Sequence, residues 1–449
     1  MTLRRPMAGG LSFPLSLGEG SPSFWPAASI HDGISLDFAR GIYYTKAPGA
    51  APVYGALTSL FTFTRAAPDA SYRAADGVLK FATTNVPRVE YDANGSCLGL
   101  LMEASRTNLA LQSQDLATTW TVSGATASVN SVAAPDGATT ADTLVESSGG
   151  TFHLVRQDVT ITANSAYTFS VFVKAAGRTA CKLQVSNTLE NTGANADFDL
   201  TAVTANNVTN FGTGSSSAAT ITAYANGWYR ISLRTTIDAA STTGRIQLLL
   251  ANPAGTTSYS GGGASGMYVW GMQYELGQFM SSYIPTTTVS VARTADSCIR
   301  TLSTEYNAAA GTAVVVGRAS GGQEAANQHF YCFDNGTNQE VIRFYRNNST
   351  DTVVSVVTDG GVAQAQQATD SFTNLTVFKS AVAFQVNDYA YSFNGGAIAT
   401  DTLLTMPSPT QLGLGYAPFN GSAQMYGHIR TFDYYPQRLS DAYLQQVTA

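Results

Sequence analysis

The sequence predicts an all-β protein: two antiparallel, jelly-roll-like β-sandwiches in tandem, an extended segment before them, and one short helix at the C-terminus. Three observations predict it. Segment after segment alternates apolar and polar residues at period two. Tyr167, Phe169, Val171 and Val173 share one face, and so do Tyr229, Ile231 and Leu233. Turn dipeptides such as Asp136-Gly137 and Asn226-Gly227 punctuate these runs. A capped helical pattern occurs only at the very end of the chain.

Residues 1–57 hold Pro14, Pro22, Pro26, Pro48 and Pro52 among glycines, with little periodicity and no means of building a core alone. Phe13, Phe24, Trp25, Tyr43 and Tyr44 set this segment apart from an aromatic-poor disordered tail, so it is expected to dock on something else. Residues 58–105 read as a connector of short strands. Phe61-Thr62-Phe63-Thr64 alternates, and Asp76-Gly77 and Asn94-Gly95 are hairpin signals.

Residues 106–299 form the first expected sandwich, where Ile246, Leu248 and Leu250 make another face, as do Tyr268, Trp270, Met272 and Tyr274. Residues 300–449 form the second, with strands expected near 313–316, 330–333, 341–346, 353–357, 375–378, 383–386 and 425–434. The closing helix has Ser440 to cap it, Asp441 in its positive first turn, and Leu439 to staple onto Leu444.

Composition bounds the function. Only 12% of the 449 residues are charged, about half the usual share, and Ala, Thr, Ser, Gly and Asn fill the gap. That mix suits a β surface wetted by hydroxyls and amides. A net charge of −6 with five lysines (46, 80, 174, 182, 379) argues against nucleic acid, which needs clustered cations. No apolar run approaches the ~20 residues of a membrane helix. The N-terminus lacks the apolar core of a signal peptide, which points to accumulation in a cytoplasm. Cys97, Cys181, Cys298 and Cys332 have no close spacing and are expected as free thiols.

Residues 103–109, Glu-Ala-Ser-Arg-Thr-Asn-Leu, resemble the E-x-x-R-T-N-L signature of tailed-phage fibre and head-spike proteins. Further pieces resemble that family in the same order: residues 61–66 (FTFTRA), 76–79 (DGVL), 86–88 (VPR), 91–92 (YD), 134–137 (APDG), 167–174 (YTFSVFVK), 226–230 (NGWYR) and 282–286 (SYIPT). The resemblance spans roughly residues 58–300. It implies a virion-attached adhesin with a fold like the jelly-roll carbohydrate-binding modules. Residues 427–441, GHIRTFDYYPQRLSD, resemble the end of a laminin-G or concanavalin-type sandwich.

The expected function is therefore a head spike, head fibre or tail fibre of a tailed phage or phage-like gene-transfer particle. It would be made in the host cytoplasm and displayed on the virion surface, where it adheres to host polysaccharide. Residues 1–57 would contact capsid or tail proteins. A trimer or a pentamer is expected, because many copies are needed to make weak sugar contacts effective. A polysaccharide-degrading tailspike-type enzyme and a ligand-free capsid decoration protein are the alternatives.

No catalytic residues are expected. The four histidines lie far apart with no H-E-x-x-H, and no G-x-S-x-G or Walker loop occurs. The glycine run 261–266 reads as a flexible loop. His153 and His329 read as satisfied, partly buried side chains, and Trp120, Trp228 and Trp270 as core. Sugar contact is expected from loop residues Tyr259, Tyr416, Phe419 and Asn420, since stacking needs exposed aromatic faces. The resemblance also allows a structural Ca2+, with Asp136 and Asp142 as donors. Ordinary turn roles are the competing reading of those two residues.

Overall fold

The computed structural model describes residues 30–319, 326–371, 373–421 and 423–449. The chain divides into residues 1–31 and 32–449, and both sandwiches lie in the second unit.

Alternating faces build two sandwiches, and every strand-to-strand ladder among the described residues is antiparallel. The sandwich built from residues 121–276 stacks two six-stranded sheets. One has the order Thr121–Ser123, Leu154–Thr160, Thr243–Ala251, Ala180–Asn187, Gly193–Asp199, Thr204–Phe211. The other, called here the cleft sheet, has the order Ala125–Val132, Ala141–Glu146, Gly266–Leu276, Ala166–Ala176, Tyr229–Thr236, Ser215–Ala223. Phe169, Val171, Ile231, Leu233, Ile246 and Leu248 meet between them, each fully buried. Trp120, Trp228 and Trp270 are buried too, and each indole N–H finds an oxygen acceptor. At the Asn226-Gly227 turn both residues take positive φ, 59° and 75°, as that dipeptide allows at little cost.

The second sandwich is not confined to residues 300–449. Gly33–Asp37 pairs with Gly427–Tyr435, Ile42–Lys46 pairs with Gly33–Asp37, and Val53–Tyr54 adds the edge. Cys97–Met102 also pairs with Gly427–Tyr435, and Arg88–Tyr91 pairs with it in turn. On the opposite sheet, Thr62–Thr64 pairs with Ser297–Thr301. Residues 33–54 are therefore sheet rather than a separate segment, and much of 58–105 is sandwich rather than connector. Ile34, Leu36 and Phe38 alternate into the core, a pattern masked in sequence by its shortness and flanking glycines. The remainder of the expected anchoring segment, residues 1–29, lies outside the described residues.

The first sandwich is thus inserted into the second. The chain leaves through Arg106–Asn108 and returns through Val291–Arg293, and these two strands pair with each other as a neck. At the C-terminus the helix Asp441–Thr448 forms where expected. Ser440 Oγ accepts the Tyr443 N–H, and Leu444 and Val447 are buried as the helix packs on Val377–Gln385 and Asp388–Phe393. All four cysteines are free, three of them buried.

Candidate functional site: a cleft beside the neck

The neck is held by a buried ionic cluster. Asp296 takes Arg65 Nη1 at 3.2 Å and Arg88 Nη2 at 2.6 Å. Glu103 takes Arg88 Nη1 at 2.8 Å, with Arg293 Nη2 at 3.4 Å. The Ser282 N–H and hydroxyl donate to Glu103 at 2.8 and 2.6 Å, and the Glu103 N–H donates to Asp296 at 2.9 Å. Burial pushes the Glu103 carboxyl up, but Arg293 and Arg88 outweigh it and hold the group far below the usual carboxylate range. Further down the signature, Asn108 donates to the carbonyls of Met272 and Ile284 and accepts from the N–H groups of Ala110 and Tyr274. Arg106 lies over the rings of Tyr426 (4.5 Å) and Phe279 (5.5 Å). The motif residues that carry the family resemblance thus build the joint between the sandwiches.

Beside this joint opens a cleft of about 260 Å3. Its floor is the outer face of the cleft sheet, and cross-strand register explains its chemistry. Thr168 lies opposite Arg234, Ser170 opposite Ser232, and Phe172 opposite Arg230; beyond them come Ala218, Thr220 and Thr222. The same strands send Ile231 and Leu233 into the core, so one alternation makes both the core and the polar floor. One wall is the hairpin Ala70–Arg73/Leu79–Ala82, a second is the loop 278–283, and Glu90, Arg318 and His428 come from the other sandwich. The loop is fastened to the sheet by Glu275, which accepts from the Ser281 N–H and hydroxyl at 2.8 and 2.6 Å, and by Gln273, which accepts from the Ile284 N–H.

Four arginines line the cleft, and none ion-pairs with a carboxylate among the described residues. Arg73 donates to the carbonyls of Tyr91 and Ala223 and lies 4.7 Å above the Tyr224 ring. Arg230 donates to Ser281 O and Ser170 Oγ. Arg234 donates to Ser216 O and Gln278 Oε1. Arg318 has no hydrogen-bond or ion-pair partner among the described residues, and its Nε is buried. The cleft carboxylates are engaged elsewhere: Glu103 in the ionic cluster, and Glu90 with His428 Nε2 at 2.7 Å and the Arg73 N–H at 3.1 Å. Burial pushes Glu90 up, yet those hydrogen bonds leave it below its ordinary value.

The residues expected to contact sugar lie elsewhere. Tyr259 sits in a two-stranded ribbon, Ser258–Ser260 against Gly150–Phe152, rather than a loop. Its hydroxyl donates to Glu146 Oε2 at 2.7 Å, Arg178 lies 5.0 Å over its ring, and the His153 ring is 4.6 Å away. Glu146 also takes Arg178 bidentately (2.6 and 2.7 Å) and the Gly262 N–H. The Arg178 hydrogen bonds outweigh burial and hold Glu146 at about 2. This cluster pins the glycine run that reads as flexible in sequence.

Tyr416 is 6% exposed, which corrects its expected role as an open stacking face: the preceding strand Gln411–Leu414 draws it into the sandwich. Phe419 is half-buried against Arg343 and the edge of His329, and Asn420 is exposed at the turn. His329 is buried, and neither ring nitrogen has a partner among the described residues, contrary to the satisfied side chain expected. Burial pushes it down to about 3, so it is neutral.

Asp142 is buried and accepts from the N–H groups of Leu116 and Asn130, while Asp136 caps its own turn through the Ala138 N–H. Burial raises both. Among the described residues no group of three His, Cys, Asp or Glu is placed to hold a metal ion.

Sequence reasoning missed the cleft. Its signal was the second half of an alternation already noted: Arg230, Ser232 and Arg234 interleave with Tyr229, Ile231 and Leu233 in a chain where cations are scarce.

No family model and no curated protein matches the chain. Among solved structures, 32% of the chain is similar to 84% of the carbohydrate-binding module CBM40 of Ruminococcus gnavus IT-sialidase, bound to α2,3 sialyllactose, at 21% identity and a TM-score of 0.28. The leech intramolecular trans-sialidase matches 32% of the chain with 23% of its own, at 18% identity and a TM-score of 0.27. Chicken galectin 2 matches 28% with 88% of its own, at 12% identity and a TM-score of 0.20. At such scores these partial likenesses carry no argument about ligand or activity.

Proposed function

We propose that this chain is a non-catalytic adhesin, a head spike, head fibre or tail fibre of a tailed phage or phage-like gene-transfer particle that grips host-surface polysaccharide. The cleft carries the adhesive part of this reading: hydroxyls and guanidinium groups on a rigid sheet face, flanked by Tyr72 and Phe279, offer a sugar both hydrogen bonds and apolar contact. The ordered series of family-like motifs supports the virion part.

A non-catalytic role is favoured by the state of the cleft carboxylates. Glycoside hydrolysis needs one carboxyl that keeps its proton near neutral pH, whereas Glu90 and Glu103 are both held below their ordinary values. A homo-oligomer, a trimer or pentamer, would raise the avidity of shallow, weak sites. Residues 1–29 would supply the virion contact.

The test is to screen the full chain on a microarray of bacterial surface polysaccharides, and to label intact particles with gold-tagged antibody against residues 300–449. Saturable binding without release of reducing ends, with gold on the particle, is the expected result. Gold on the particle without glycan binding would make this a decoration protein. Released reducing ends would make it an enzyme.

A further inference from the structure

We infer that the cleft beside the neck selects a carboxylate-bearing saccharide, a sugar acid within an acidic polysaccharide, with Arg318 as the anchor for the carboxylate. This inference rests on the glycan-binding reading above and narrows it to one class of ligand.

Charge is the first argument. Arg73, Arg230, Arg234 and Arg318 all line the cleft, and where they hydrogen-bond, they do so to carbonyl, amide and hydroxyl oxygens. Neutral acceptors orient a guanidinium but do not cancel its charge. Glu90 and Asp92 act on Arg318 through space, yet neither reaches it by hydrogen bond. The ionic cluster behind the wall adds to the imbalance, since three guanidinium groups there meet two carboxylates. A cleft of this sign is unexpected in a chain with a net charge of −6. It is an attractive well for an anion in a partly desolvated place.

Geometry is the second. A guanidinium presents paired N–H groups that match a carboxylate fork, and Arg318 is the one cleft arginine whose fork is uncommitted among the described residues. Arg73 and Arg230 are buried and already fixed by their carbonyl acceptors, so the site is preorganised.

Size and lining supply the third. About 260 Å3 is below the roughly 300–1,000 Å3 of pockets for drug-sized ligands, which suits one or two residues of a polymer. The hydroxyl rows Thr168, Thr220, Thr222 and Ser232 suit sugar hydroxyls better than they suit a bare anion.

Calorimetric titration of the full chain tests this. The probes are oligogalacturonate and oligosialate, each beside the same oligosaccharide with its carboxyls reduced to alcohols, together with inorganic phosphate. At least one acid form is expected to bind roughly tenfold or more tighter than its reduced form, with affinity falling as salt rises. Arg318→Ala is expected to remove about ten- to a hundredfold of that affinity while leaving binding of the reduced form unchanged. Arg318→Lys, which keeps the charge but loses the fork, should fall between the two.

Equal binding of acid and reduced forms would overturn the sugar-acid assignment and leave the adhesin reading intact. So would binding of array polysaccharides that are all neutral. Phosphate competing as well as the oligosaccharide would overturn the saccharide part. Binding of no polysaccharide on the array at all would instead sink the adhesin reading itself.

Discussion

Two regions that share a wall differ in how their charges are answered. In the ionic cluster at the neck, Arg65, Arg88 and Arg293 interlock with Glu103 and Asp296, all of them buried. In the adjoining cleft, Arg73, Arg230 and Arg234 donate only to neutral oxygens, and Arg318 donates to none among the described residues. Both regions are arginine-rich, so composition alone does not separate them. What separates them is partner chemistry. A cluster whose charges are satisfied internally holds two sandwiches together, and a cleft whose charges are not is prepared for an outside partner.

The largest effect should come from breaking the first region. Arg88→Ala strips Glu103 and Asp296 of their shared partner inside the protein and should cost about 3–5 kcal/mol, read by chemical denaturation. An effect below about 1 kcal/mol would mean the cluster does not hold the neck. Asn108→Ala leaves two carbonyls and two N–H groups without partners and should cost at least about 2 kcal/mol.

Acid should act on the same region. Glu103 sits below its unfolded value of 4.5, so its contribution is fully present above about pH 4.5 and drains away as pH falls further. Glu146, held at about 2, adds to the loss between about pH 4.5 and 2. Stability measured from pH 6 to 3 should therefore decline below about 4.5. Glu103→Gln should be less stable at neutral pH but show a shallower acid decline; an unchanged slope would remove Glu103 from the account.

Legibility in the sequence followed the same division. Period-two alternation and Asn-Gly or Asp-Gly turns placed most strands and the fold class, because those signals are local. Ser440 and Asp441 placed the helix for the same reason. The insertion of one sandwich into the other was not legible, since pairing Gly33–Asp37 or Cys97–Met102 with Gly427–Tyr435 joins residues more than 300 apart. The E-x-x-R-T-N-L signature drew attention to the neck, where its polar residues serve architecture. Sugar contact was sought at aromatic residues in polar stretches, and Tyr259 and Tyr416 proved to be engaged within the protein. The cleft escaped because it is assembled from strand outer faces, a hairpin and a loop that meet only after folding.

A smaller effect tests whether the Tyr259 cluster belongs with the joint or with the cleft. Tyr259→Phe removes one hydroxyl from a carboxylate that keeps Arg178 and the Gly262 N–H, so about 1–2 kcal/mol of stability should be lost. Glycan affinity should be unchanged. Loss of affinity with unchanged stability would move the binding site from the cleft to this ribbon.

The smallest stability effect belongs to the cleft itself, and it sharpens the contrast most. Arg318 gives no hydrogen bond to the fold among the described residues; burial disfavours its charge, and the attraction of Asp92 and Glu90 is set against the repulsion of Arg73. Arg318→Ala should therefore change folding stability by no more than about 0.5 kcal/mol in either direction, because these contributions oppose one another. Arginine at such a position, half-buried and without a hydrogen bond to the fold among the described residues, is not explained by the fold. A variant as stable as the parent but deficient in binding would locate its role in the ligand. A variant destabilised as strongly as Arg88→Ala would place Arg318 with the joint and erase the distinction between the two regions.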